Sequence, residues 1–158
     1  MRSFNTITGL FLCVTFLCGC TDLDDNNSSK IINPKTLAGI NTPVLDSIFS
    51  DKNLLLKNHS MDTLLVVIGS EQDILKVCSS QVNLQVDLTN YTIVGCKVKS
   101  ASISDVISNA VLIDNATQYQ CEVTVERYTG CWAAIGNLYT WRVYPKISKE
   151  KNINMVVK

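Results

Sequence analysis

One histidine and seven cysteines carry the most reactive side chains in this chain of 158 residues. The histidine is His59, set in the polar stretch KNHSMD. A Ser-His-Asp or Cys-His catalytic site would have to be built on it, because the chain has no second imidazole. No Gly-x-Ser-x-Gly elbow accompanies it, and a solvent-facing loop histidine is the plainer reading. Zinc sites need Cys and His at short spacings. Neither Cys-x-x-Cys nor His-x-x-x-His occurs, so no metal and no cofactor is expected. The seven glycines are scattered and form no phosphate-cradling loop. Glu122 and Glu126 stand four apart in an alternating segment, which places both on its wet face; a glycosidase pair would need a cleft around them. An enzyme working through His59 is therefore the last of the readings these residues allow.

The cysteines near the N-terminus say more. Arg2 is followed by an uncharged apolar run, Ile7 to Cys18 (ITGLFLCVTFLC). That is shorter than the ~20 residues a membrane helix needs and suits the h-region of a signal peptide. The run ends Leu17-Cys18-Gly19-Cys20. This resembles the bacterial lipobox: an aliphatic residue, a small variable residue, Gly or Ala, then Cys. The resemblance implies cleavage between Gly19 and Cys20 and a diacylglycerol thioether on Cys20, with acyl chains such as palmitate. Two or three chains anchor a protein stably where one does not. The acidic stretch Thr21-Asp22-Leu23-Asp24-Asp25 resembles the acid-rich tether that follows the lipidated cysteine in surface-exposed lipoproteins of some Gram-negative bacteria. What the two resemblances imply is an extracytoplasmic protein, lipid-anchored in an outer membrane, with that membrane as a partner. A plainer reading of the acidic stretch is a solvated spacer.

The expected organisation has three parts. Residues 1–19 are a lipoprotein signal peptide. Residues 20–40 are the lipidated cysteine and a disordered tether, polar and broken by Pro34. Residues 41–158 are a single globular domain, long enough for a real core. The whole chain is formally neutral, with 14 basic and 14 acidic side chains. Nucleic-acid binding needs a basic excess, so that partner class is excluded.

Within the domain, Thr63 to Ile68 reads as a buried strand. Ser70 stands three residues before Asp73, the spacing of a helix start, so a helix is expected at about 71–78 with Ile74, Leu75 and Cys78 on its inner face. Tyr91 to Lys99 reads as a strand with Thr92, Val94, Cys96 and Val98 on one face and Gly95 as a bulge. Asp114-Asn115 marks a turn between a strand at 111–113 and one at 117–127. The second alternates: Tyr119, Cys121, Val123 and Val125 inward, their neighbours outward. Residues 128–136 read as a connection, and Leu138 to Ile147 as the last strand, with Tyr139, Trp141 and Val143 on one face. Arg142, on the other, is expected to pair with Glu122 or Glu126. The fold class expected is α+β, mainly antiparallel β, a small sandwich or partial barrel with at least one helix.

Beyond the signal peptide and Cys20, four cysteines are left: Cys78, Cys96, Cys121 and Cys131. Export permits disulfides, and four cysteines allow three pairings. Cys96 and Cys121 both lie on apolar faces and are expected to be core neighbours; a 121–131 bridge does not suit a chain reversal near Thr129-Gly130. The alternative is four buried thiols acting as small hydrophobes. A second candidate site is aromatic. Trp132, Tyr139, Trp141 and Tyr144, with Ile135, cluster on one connection and its strand. Trp132, Ile135, Tyr139 and Tyr144 are the candidate binding residues, for a protein or a glycan.

The segments VVIGSEQDIL, VDLTNYTIVGCKV, YQCEVTVERY and LYTWRVYPKI, taken in order over residues 63–147, resemble small protease-complex-associated lipoprotein domains. The shared features are a strand, a helix opening with Ser and acidic residues, an Asp-x-Thr strand entry, a hairpin, and a strand ending in Pro-Lys. SASISDVISN stands where those domains carry Gly-Gly-Tyr. The function expected is a non-catalytic binding or accessory role on a membrane-anchored lipoprotein. The alternative that the resemblance implies is a protease inhibitor or protease-complex partner.

Overall fold

The computed structural model describes residues 29–40, 42–49, 63–79, 81–128 and 133–158. Two sheets pack face to face in an α+β, mainly antiparallel arrangement, a sandwich that does not close into a barrel. One sheet places β1 (Lys30–Ile32), β4 (Val106–Asp114), β5 (Gln118–Glu126) and β7 (Asn152–Val157) in that order. The other places β2 (Leu64–Ile68), β3 (Tyr91–Ser102) and β6 (Ala133–Pro145). All pairings are antiparallel except β5 with β7. Among the described residues two short helices, α1 (Thr42–Ile48) and α2 (Glu71–Val77), accompany the sheets.

The three-stranded sheet is covered on both faces, and the two cores follow from strand alternation. Ile68, Ile93 and Val143 stand side by side across its strands. They meet Leu45, Ile48 and Phe49 from the α1 segment and Ile74 from α2. On the opposite face Val94, Cys96, Val98 and Tyr144 meet Ala110, Leu112, Cys121 and Val123 of the four-stranded sheet. Leu112 and Val123 are fully buried there, each worth about 1.5–3 kcal/mol of transfer free energy.

The helix start read from Ser70 is present. The Ser70 hydroxyl accepts from the Asp73 amide at 3.4 Å and lies 2.7 Å from Asp73 Oδ2, to which it donates. Ile74 and Cys78 face the core as expected, but Leu75 is 53 % exposed and is corrected to the outer face. A seven-residue helix turns too narrow a stripe inward to include both 74 and 75.

Other expectations change with the sheet assignment. Gly95 is not a bulge: it pairs regularly with Val66 and Trp141, and the irregularity falls between Ser100 and Ser102. Gly95 instead makes room for Phe49, since a Cβ there would fall 2.0 Å from the Phe49 ring. Arg142 does not reach Glu122 or Glu126, because β6 and β5 belong to different sheets; Glu122 pairs with Lys158 at 2.6 Å. The connection expected through residue 136 is already strand from Ala133, and the last strand is β7. The end of the expected tether is part of the fold too. Lys30–Ile32 pair with Leu112–Asp114, and Leu37 and Ile40 pack on the helix-side core.

Candidate functional site

Two concave regions lie at opposite ends of the sandwich. The first is where β3 turns the corner into β4. Ser100, 5 % exposed, donates its hydroxyl to Asp105 Oδ2 and accepts from the Ser102 amide at 3.2 Å. Asp105 Oδ1 accepts from the Tyr128 amide at 3.1 Å. One buried carboxylate thus ties the β3–β4 corner to the chain leaving β5. These bonds satisfy the polar backbone of a tight corner and push Ile103, at its tip, outward. Ile103 is 67 % exposed and lies over the start of β6, with its Cγ2 3.9 Å from where a Gly136 Cβ would be.

Around that corner a groove of about 430 Å³ is lined by Val98 and Ser100 from β3, Val125 from β5, Ile135 from β6, Val157 from β7, and Arg127. Ile135 is 75 % exposed in that groove with the exposed Val157, and Val106 and Tyr128 are further exposed apolar residues at the same end of the fold. Lys99 and Arg127 supply positive charge at the rim. Among the described residues neither side chain takes part in an ion pair.

The second region, of about 590 Å³, lies at the other end, between Gly69, the β6–β7 connection and the starts of β5 and β7. Four lysines line it: Lys76, Lys146, Lys149 and Lys151. Each already has a partner inside the protein. Lys146 Nζ donates to the carbonyls of Gly69 and Leu88. Lys149 and Lys76 stand 3.5 and 3.6 Å from the Asp73 carboxylate. Lys151 binds Asp114 at 2.6 Å and lies 5.2 Å from the centre of the Tyr119 ring. That hydrogen bond to Asp114 raises the Lys151 pKa. Burial raises the Asp73 carboxyl, but hydrogen bonds from Ser70 and the Gly69 amide, together with Lys149, outweigh it and hold Asp73 below its ordinary range. These lysines hold loops and sheets together, and their charge is spent on that.

The residues singled out from the sequence separate clearly. Ile135 lies in the apolar groove. Tyr144 does not belong to a binding patch: it is 1 % exposed, in the core between the sheets, and burial pushes its phenol up to about 12. Tyr139 packs on the helix-side core, as does Trp141, whose Nε1 donates to Asp46 at 2.8 Å. Cys96 and Cys121 are core neighbours as expected, with their sulfurs 3.3 Å apart. Cys78 is buried on the far side of the three-stranded sheet. Gly19, Cys20, His59, Cys131 and Trp132 lie outside the described residues. Ile103, Val106, Tyr128 and Val157 were missed. The readable signal was Ile103, an isoleucine inside the turn-forming string SASISD, where no core position is available. Among the described residues no cluster of three or more Cys, His, Asp and Glu is placed to hold a metal, and no helix is long and apolar enough to cross a membrane.

No protein-family model matches the chain, and no curated protein and no solved structure shows detectable similarity to it.

Proposed function

We propose that the chain is a lipoprotein held outside the cytoplasm through Cys20, and that its sandwich is a non-catalytic domain that docks a protein on its apolar end. The observation that carries the docking surface is the company of Ile135. It shares one end of the fold with exposed Ile103, Val106, Tyr128 and Val157. An exposed isoleucine over an apolar groove, with further exposed apolar side chains at the same end, marks an interaction site, because apolar surface left uncovered promotes association. Its chemistry selects a protein over a glycan. A sugar needs polar partners for its hydroxyls, whereas the groove is lined mainly by the aliphatic side chains Val98, Val125, Ile135 and Val157, and Tyr144 is buried between the sheets. A protein surface with an apolar centre and an acidic rim fits the groove and meets Lys99 and Arg127. A protease-complex component is one such partner, on the resemblance of residues 63–147. The anchor is supported by the run from Ile7 to Cys20 and by the acidic residues after it.

The test uses the tagged full chain in its host. Cys20→Ser should remain unprocessed or appear as a soluble form, without label from a fatty-acid probe, since a hydroxyl does not form the thioether. Ile135→Asp should keep label and membrane partition but lose the proteins that co-purify with the wild type from detergent extracts. A labelled Ser variant would refute the anchor. An unchanged set of co-purifying proteins in Ile135→Asp would refute the docking surface.

A further inference from the structure

We infer that Cys96 and Cys121 form a disulfide that bolts the two sheets together once the chain has left the cytoplasm. The inference rests on the extracytoplasmic reading for its oxidising surroundings; the pairing itself rests on the structure. Cys96 lies on the central strand of the three-stranded sheet, between Leu65 of β2 and Thr140 of β6. Cys121 lies on β5, between Leu112 of β4 and Met155 of β7. Both are interior positions of their sheets, and the two side chains point at each other across the core. Their sulfurs are 3.3 Å apart, and each residue is 2 % exposed. A disulfide needs about 2 Å between sulfurs, a gap that side-chain rotation can close. Cys78 does not compete, because the three-stranded sheet stands between it and this pair.

The site has no evident reason to hold two thiols. The neighbouring side chains are Val94, Val98, Leu112 and Val123, a setting in which valine or alanine packs as well. Two sulfurs aimed at each other across a sheet interface are what a bridge requires and what a plain apolar core does not. The bond would also join the strands whose far ends, Val98 on β3 and Val125 on β5, line the apolar groove. Fixing the distance between the sheets therefore fixes the groove's width.

The chemistry balances with a disulfide-bearing oxidant, an exported thiol oxidoreductase or oxidised glutathione. One cysteine thiolate attacks the oxidant's disulfide and expels a thiol. The second cysteine then attacks the mixed disulfide and expels the other. The two S–H bonds are lost, the Cys96–Cys121 bond is gained, and two electrons and two protons end on the oxidant as two thiols. In the closed fold the hydrogen bond to Cys121 and burial push the Cys96 thiol well above its ordinary value. With both sulfurs buried in the closed fold, out of an oxidant's reach, the exchange belongs to the stage before the sheets have closed.

The test maps peptides from the full chain extracted from its host with thiols blocked and no reductant present. The expected product is a peptide pair joined through Cys96 and Cys121, and reductant should lower the melting temperature by roughly 10 °C, as a closed loop of this size predicts. Cys96 or Cys121 recovered alkylated, or joined to another cysteine, overturns the inference. A second arm reduces the purified chain, unfolds it and refolds it with oxidised glutathione. If the Cys96–Cys121 pair forms there but the chain from cells carries thiols, the location has failed and the pairing geometry stands. If refolding with oxidised glutathione leaves both thiols alkylated, the pairing has failed whatever the location.

Discussion

The two ends of the sandwich use opposite chemistry. At one end four lysines line a cavity, yet each is committed to a carboxylate or a carbonyl of the same chain. At the other, the buried Asp105 carboxylate is committed, to Ser100 and the Tyr128 amide, while Ile103 and Ile135 meet solvent. Size and charge alone would have pointed to the cationic cavity. What decides is whether the side chains already have partners. A paired lysine at the surface contributes modestly to stability and offers little to a ligand. An aliphatic side chain held in water by a rigid corner gains free energy only when something covers it.

The contrast can be attacked at the residue that builds each end. Asp105→Ala should have the largest effect. It strands a buried hydroxyl and a backbone amide, at a cost of about 2–3 kcal/mol by chemical unfolding, and it should release the corner, so partner binding falls with stability. A variant that unfolds at the wild-type denaturant concentration would show that Asp105 does not hold the corner.

At the cationic end the expected effect is smaller and depends on pH. The Asp73 carboxyl has a lowered pKa in the folded protein, against an ordinary value of 3.8. Its ionised form therefore stabilises the fold above that value, and the gain is lost as pH falls through the lower, folded value. Asp73→Asn should remove under about 1 kcal/mol at neutral pH, since the site is solvent-screened. Stability of the variant should fall less than that of the wild type between pH 5 and 2. Partner binding at neutral pH should be unchanged. Parallel acid profiles for the two proteins would mean that Asp73 carries none of this stability.

What was legible in the sequence was local. Ser70 and Asp73 announced their helix because capping chemistry works within one turn. Tyr119 to Val125 announced their strand because one face of it meets the core and the other does not. Cys96 and Cys121 were placed together for the same reason. Tyr144 was misplaced because the three-stranded sheet is covered on both faces. On β6 Trp141 and Tyr144 point to opposite sides and both are packed, so alternation no longer separates wet from dry. Arg142 was paired wrongly because consecutive strands here switch sheets, which no pairing rule within a hairpin reveals. β7 was missed because NINMVV alternates weakly and pairs in parallel with a strand more than 30 residues earlier. The apolar groove was half legible. Ile135 came from the unusual run WAAI, but its groove neighbours Val98, Val125 and Val157 come from three other strands, which only the assembled sandwich brings to one end.

The most direct measurement compares the two ends in living cells. A photo-crosslinking benzoylphenylalanine is placed at position 135 or at position 149 of the full chain, and the adducts are separated by mass. Position 135 should trap one predominant second protein, and Ile103→Asp in the same chain should abolish the adduct. Position 149 should trap none. An adduct at 149 in place of 135, an adduct at 135 that ignores Ile103→Asp, or an adduct that proves to be a second copy of this chain would contradict the assignment of the apolar end as the docking surface for a protein partner.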